Sequence, residues 1–393
     1  MNSLSDVLDS HVNSGSVPGV VSLVAHGAGR EPEVAAVGSV DTAGGAPMAR
    51  DTIFRIASAT KPITAAALMM LVDDGRIGLH DPVARWLPEL AAPRVVRTPG
   101  SPVDDVVPAT APITVFDLLT FRAGYGFPAD FSLPAVRLLF EELAQGTPEP
   151  LHLTAPGTWM EKLSRIPLLH QPGEAWLYNT CSDIQGVLIA RVAGRPLPEF
   201  LAERLFEPLG MTDTGFAVPT AKLDRFTSYY KRDGESGPGD GLDLVDAPDG
   251  QWSSPPSFPS GAGGLVSTAD DLYAFARMLL AEGRAGGRAL LSPESVARMT
   301  TDHLTPAQRE ASGLFTEGQG WGFGGSVDVV ESAPWNVLGR YGWVGGTGTA
   351  AHLVPSTGAV TVLLSQVAMT GPTPPTLMRD FWRYAAEAGG AVR

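Results

Sequence analysis

Apolar residues recur along this chain in three patterns, and each marks a different kind of element. Ser3-Leu4-Ser5-Asp6 has the form of a capping box, and Leu4, Val7, Leu8 and Val12 follow helical spacing. An amphipathic helix is therefore expected at the start. After Pro18-Gly19, two β-rich runs, 20–25 and Glu33–Gly38, flank the glycine-containing stretch 26–30 and predict a hairpin. The third pattern is an apolar run with almost no polar face, Ile63-Thr64-Ala65-Ala66-Ala67-Leu68-Met69-Met70-Leu71-Val72, closed by Asp73-Asp74-Gly75. Such a helix belongs inside the protein, not on its surface.

From residue 81 to about 254 the pattern is helical, as in Val115–Leu119, 133–144, 184–193 and 198–205, with proline-rich connectors and no recurring strand pattern. Strand signals return in Tyr341–Gly345, Thr349–Val354 and 359–366, separated by turn residues, which reads as an antiparallel meander. A last helix is expected over 377–388. If early and late strands share one sheet, neither leaves its edges bare. The expected fold is then α/β (α+β), an antiparallel sheet flanked by helices: residues 1–80 and 255–393 form an α/β lobe, with 81–254 inserted as a mostly helical lobe. The stretch 234–259, dense in Gly, Pro, Ser and Asp, reads as a long mobile loop.

Composition narrows the function. The 393 residues are 44% hydrophobic and 18% charged, enough for a large core. A net charge of −14 argues against nucleic acid or an anionic membrane as partner. Cys181 is the single cysteine, so no intrachain disulfide can form. The first residues lack a basic region followed by an apolar one, and no uninterrupted apolar run reaches the ~20 residues a membrane span needs. A cytoplasmic location is the expectation. The composition carries no reading of oligomeric state.

The candidate chemistry lies at the head of the apolar helix, in Ile56-Ala57-Ser58-Ala59-Thr60-Lys61-Pro62. In a helix starting near Ser58, positions i and i+3 share a face, so the hydroxyl and the ammonium project together. Pro62 fits a first turn, where amides have no intrahelical partner. A desolvated lysine has a lowered pKa and can act as base to a serine nucleophile. The spacing alone is weak, since Ser228-Tyr229-Tyr230-Lys231 repeats it within a polar run. Two further stretches bear on it. Pro172-Gly173-Glu174-Ala175-Trp176-Leu177-Tyr178-Asn179-Thr180 sets a phenol just before a helix, and a cationic Lys61 would lower that phenol's pKa so that the two share a proton. Trp343-Val344-Gly345-Gly346-Thr347-Gly348-Thr349 puts glycines where a backbone or a substrate can approach closely.

These three stretches, in this order, resemble the serine β-lactamase and penicillin-binding-protein superfamily, in particular class C β-lactamases and family VIII carboxylesterases. Ile53-Phe54-Arg55 before the serine, Asp81-Pro82-Val83, Ile113-Thr114-Val115-Phe116-Asp117-Leu118-Leu119-Thr120 and Gly261-Ala262-Gly263-Gly264-Leu265-Val266-Ser267-Thr268 look like further landmarks, so the resemblance spans most of the chain. It implies a β-lactamase-like fold in which Ser58 attacks a carbonyl, Lys61 and Tyr178 move the proton, and the N–H groups of Ser58 and Gly346 form the oxyanion hole. It also places Trp343, Gly345, Thr180, Tyr125 and Phe127 around the substrate.

Two departures affect the substrate. The lactamases carry Lys-Thr-Gly where this chain has Trp343-Val344-Gly345, and an asparagine where it has Thr180. Losing the ammonium and hydroxyl that meet a substrate carboxylate disfavours anionic lactams. Trp343 and Arg340 lie on opposite faces of a strand, so the arginine does not compensate. The resemblance thus implies a serine hydrolase acting on small carboxylic esters, with weak or no β-lactamase activity. Acyl transfer or amide-bond chemistry on the same acyl-enzyme, and a non-catalytic penicillin-recognising module, are the alternatives. The expected partner is a small-molecule ester or amide. No Gly-x-Ser-x-Gly elbow, nucleotide-binding glycine pattern or metal-ligand spacing occurs, so neither cofactor nor metal is expected.

Overall fold

The computed structural model describes residues 3–27, 31–146, 149–232 and 241–389. Its first helix, α1 (Leu4–Asn13), is closed by the reciprocal box the sequence suggests: Ser3 Oγ accepts from Asp6 N–H, and the Asp6 carboxylate accepts from Ser3 N–H. β1 (Gly19–His26) and β2 (Glu33–Gly38) then form the expected antiparallel pair. Residues 28–30 of their connection lie outside the described residues.

Among the described residues the sheet has seven antiparallel strands. Joining β1 and β2 are β3 (Gly320–Trp321), β4 (Ser326–Val327), β5 (Tyr341–Gly345), β6 (Thr349–Val354) and β7 (Ala359–Ser365), in spatial order β3-β4-β5-β6-β7-β1-β2. Both ends of the chain thus meet at β1, whose residues Gly19 to Ala25 are all buried because helices cover both faces of the sheet. On one face, α1 and the last helix (Thr376–Ala388) pack Leu4, Leu8, Phe381 and Trp382 against Val20, Val24 and Leu363. On the other lies the larger core, containing the central helix Thr60–Asp73. Every residue of that helix from Thr60 to Leu71 is buried, as the absence of a polar face requires.

No strand of this sheet comes from residues 81–254 among the described residues. That span holds the helices Val115–Leu119, Pro134–Glu141, Pro156–Leu163 and Thr180–Ala193, with further short helical segments. Two β-ribbons there run against the sequence reading, Arg94–Val96 with Val106–Pro108 and Tyr229–Lys231 with Asp243–Asp246. Each strand is too short to show a period of two. The second ribbon also takes up part of the expected 234–259 loop, of which residues 234–240 lie outside the described residues. No described helix is long and apolar enough to cross a membrane.

Candidate active site

Ser58 lies two residues before the α-helix that the spacing expects to begin near it. It occupies a 3₁₀ turn, Ala57–Ala59, that runs directly into the central helix. The tighter turn still brings i and i+3 together: Lys61 Nζ lies 2.7 Å from Ser58 Oγ and donates to the Ala262 carbonyl at 2.7 Å. Ala57, immediately before the serine, has φ of +42°, a backbone strain on the order of 1–3 kcal/mol that the surrounding contacts must hold in place. Thr347 Oγ1 donates to Arg55 O at 2.6 Å and Thr349 Oγ1 to Ile56 O at 3.0 Å, tying the turn to the β5–β6 hairpin.

Lys61 is fully buried, and desolvation brings its pKa down to about 7 against an opposing pull from the Asp183 carboxylate. Asp183 belongs to the Thr180–Ala193 helix, and its Oδ1 accepts from Ser260 Oγ at 2.6 Å and from Ala262 N–H at 3.1 Å. Burial raises its own pKa. Asp183 thus fixes the loop whose Ala262 carbonyl orients the lysine. Sequence reading passed over it, although a lone carboxylate within an apolar helical stretch is a signal.

The Tyr178 phenol accepts from Trp343 Nε1 at 2.6 Å, has Lys61 Nζ 4.7 Å from its ring centroid, and lines the same cavity as Ser58. Its pKa is raised to about 12 by burial, with Ser58 and Trp343 pulling the other way. The expected lowering by a cationic Lys61 is therefore not found. Desolvation acts on both groups and favours the neutral amine beside the neutral phenol.

Ser58, Tyr178, Gly346 and Phe127 line one cavity of about 460 Å³. A Cβ on Gly346 would meet nothing within 4 Å, so the glycine leaves its side of the cavity open. Four residues expected around the substrate are placed differently. Trp343 is buried and bonded to Tyr178, so it reaches the cavity only through the phenol. Gly345 faces the nucleophile turn: a Cβ there would lie 2.2 Å from Ile56 O, so the close approach it permits is to backbone. Thr180 is buried with its hydroxyl donating to Gln145 Oε1 at 2.6 Å, and the preceding Asn179, at φ +82°, lines the cavity instead. Tyr125 is buried away from it, its hydroxyl donating to Ile166 O at 3.2 Å.

Arg55, Tyr229 and Trp252 also line the cavity, a place the sequence reading did not give them. The Arg55 guanidinium is buried against Asp246 and lies 4.0 Å from the Phe226 ring centroid, so its charge is already matched. The second Ser-x-x-Lys motif falls where Ser228 leads into a strand with Lys231 exposed, and i and i+3 of a strand face opposite sides. No cluster of three His, Cys, Asp or Glu side chains suited to a metal is present among the described residues.

A family model described as Beta-lactamase matches residues 4–381. Protein Rv1367c of Mycobacterium tuberculosis is 39% identical over 344 residues, 85% of this chain and 82% of that protein. Esterase EstB of Burkholderia gladioli is 30% identical over 395 residues, covering 95% and 92% of the two chains. Among solved structures, EstCE1, described as a hydrolase with promiscuous acyltransferase activity, superposes with a TM-score of 0.78 at 26% identity, covering 98% and 97%. With a family model matched along nearly its whole length, the chain belongs to the beta-lactamase family.

Proposed function

We propose that this protein is a serine hydrolase of the carboxylesterase type, cleaving small carboxylic esters through an acyl-enzyme on Ser58. Lys61 takes the hydroxyl proton as Ser58 Oγ attacks the ester carbonyl. One N–H is held by Ala262 O, and once the amine is neutral its lone pair is available to the Ser58 hydroxyl 2.7 Å away. The oxyanion is held by the N–H groups of Ser58 and Gly346, each such donor lowering the barrier by about 3 kcal/mol. Tyr178, neutral at physiological pH, delivers a proton to the departing alkoxide while Trp343 Nε1 stabilises the charge left on its oxygen. Water then resolves the acyl-enzyme by the reverse sequence. The cleft lies between an α/β lobe, 1–80 and 255–393, and the lobe formed by 81–254.

The observation that carries this reading is the buried Lys61 amine 2.7 Å from Ser58 Oγ, with a pKa of about 7. Ser58→Ala is expected to abolish turnover of p-nitrophenyl butyrate, and a fluorophosphonate adduct should map to Ser58 by mass spectrometry. Unchanged turnover rejects the assignment.

Acyl transfer is a second reading, favoured by the acyltransferase activity in the description of EstCE1 and by the aromatic walls of the cavity, Phe127, Tyr229 and Trp252. Mixed ester formed with an added alcohol, competing with hydrolysis, distinguishes it.

A further inference from the structure

Asn179 follows Tyr178 directly, is half-buried, and lines the cavity that holds Ser58. Its backbone stands at φ +82° and ψ −68°, and Thr180 N–H donates across it to Tyr178 O at 3.2 Å. A bond from i+2 to i closed over a positive φ is the rare, strained form of the γ-turn. The backbone on either side is held: Phe127 and Tyr178 exchange N–H to carbonyl bonds of 2.9 and 3.0 Å, and Ser182 N–H donates to Asn179 O at 3.0 Å. The fold therefore needs this turn, but glycine would make it with less strain than any residue carrying a Cβ.

Nothing the asparagine side chain does for the fold offsets that strain. Asn179 is the N-cap of the helix Thr180–Ala193, the position from which an asparagine ordinarily bonds an amide of the first turn, and it makes no such bond. Among the described residues its amide neither donates nor accepts a hydrogen bond. Other polar groups in the cavity walls are committed. Asp183 Oδ1 accepts from Ser260 Oγ and Ala262 N–H, Thr347 Oγ1 donates to Arg55 O, and Arg55 is paired with Asp246.

A primary amide both donates and accepts, so it complements a neutral group that does the same, and a hydroxyl is the smallest such group. An anionic substituent would find Arg55 already matched and the Asp183 carboxylate in the same walls. We propose that Asn179 is a specificity-determining residue whose amide binds a hydroxyl carried by the ester substrate near its scissile bond. The inference rests on the esterase reading of Ser58 and narrows its substrates to neutral hydroxy-substituted esters.

The hydroxyl can belong to the acyl chain or to the alcohol, and two pairs of esters separate these. p-Nitrophenyl 3-hydroxybutyrate is compared with p-nitrophenyl 3-methylbutyrate, and 2-hydroxyethyl butyrate with propyl butyrate, a methyl standing in place of the hydroxyl in each pair. In one pair the unsubstituted protein should show the lower KM for the hydroxyl ester. In Asn179→Gly the ratio of kcat/KM for that hydroxyl ester to kcat/KM for its methyl partner should fall about tenfold, as loss of one hydrogen bond predicts, with KM carrying the change. The melting temperature should hold or rise, because glycine relieves the positive φ. Ratios unmoved in both pairs, or a loss shared equally by both members of a pair, overturn the proposal. So does the absence of any pair with a lower KM for the hydroxyl ester, a measurement that stands even if the variant does not fold. Turnover of the methyl esters by the unsubstituted protein tests the esterase reading by itself: where it is present and the ratios stay put, only the role of Asn179 fails, and where it is absent both fail.

Discussion

Desolvation moves Lys61 and Tyr178 in opposite directions along the pH scale, so that the phenol is neutral near physiological pH and the amine is mostly neutral above about pH 7. The consequence is a pH profile with a defined sign. A base must be unprotonated to accept the Ser58 proton, so kcat/KM for a p-nitrophenyl ester should fall tenfold per unit below about pH 7 and level off above it. Asp183 pulls the Lys61 pKa upward, so Asp183→Asn should move that acid limb to lower pH. A limb that stays put or moves upward contradicts the coupling. Lys61→Met should cost about 10²–10⁴ in kcat at any pH. Trp343→Phe keeps the packing but removes the N–H bonded to Tyr178; the expected result is a lower kcat at nearly unchanged KM, since the bond matters most when charge develops on the phenol oxygen. Ser58, Lys61 and Tyr178 were singled out in the sequence by the order of three stretches and the superfamily these resemble, the Ser-x-x-Lys spacing alone being weak. The residues around them were not, because which side of Tyr178 faces the cavity depends on the positive φ of Asn179. Nothing in the letters Asn179-Thr180 reveals that twist.

Among the elements, the β5–β6 hairpin does more than close a sheet. Gly345 lets the strand lie against the backbone of the nucleophile turn, and the threonines at 347 and 349 bond to that turn. Gly345→Ala would set a Cβ 2.2 Å from Ile56 O, and because the clashing atom is backbone, no rotamer change relieves it. Overpacking of this kind costs about 1–3 kcal/mol, and the relief available is displacement of the 57–59 turn. The expected outcome is a lowered melting temperature together with a loss of esterase activity larger than stability alone explains, read from kcat at a temperature where the variant is fully folded. Gly346→Ala, with nothing near its Cβ, is the control for stability. Long elements were readable: the apolar central helix, the hairpin of β1 and β2 and the late meander follow directly from periodicity and turn residues. Strands of two to four residues, such as β3, β4 and the ribbon of Tyr229–Lys231 with Asp243–Asp246, were missed. Pairing partners distant in sequence define such strands, and no local pattern encodes a partner.

For the molecule as a whole, the decisive feature is that β1 is hydrogen-bonded between β2 and β7, so the sheet cannot be completed until the last third of the chain is present. Its outer face is then covered chiefly by α1 and the last helix among the described residues. Leu377, Met378 and Phe381 are at most 6% exposed, and burying three such side chains is worth roughly 5–9 kcal/mol. The net stability of a domain is of the same size, about 5–15 kcal/mol. Truncation after Pro375 should therefore cost most or all of the folding free energy, more than loss of a peripheral helix would suggest, because it also bares Val20, Val24 and Leu363 on the sheet. The truncated chain is expected to be insoluble or to lack a cooperative thermal transition by circular dichroism. A soluble protein that melts cooperatively near the full-length midpoint would show that the outer face does not depend on its cover.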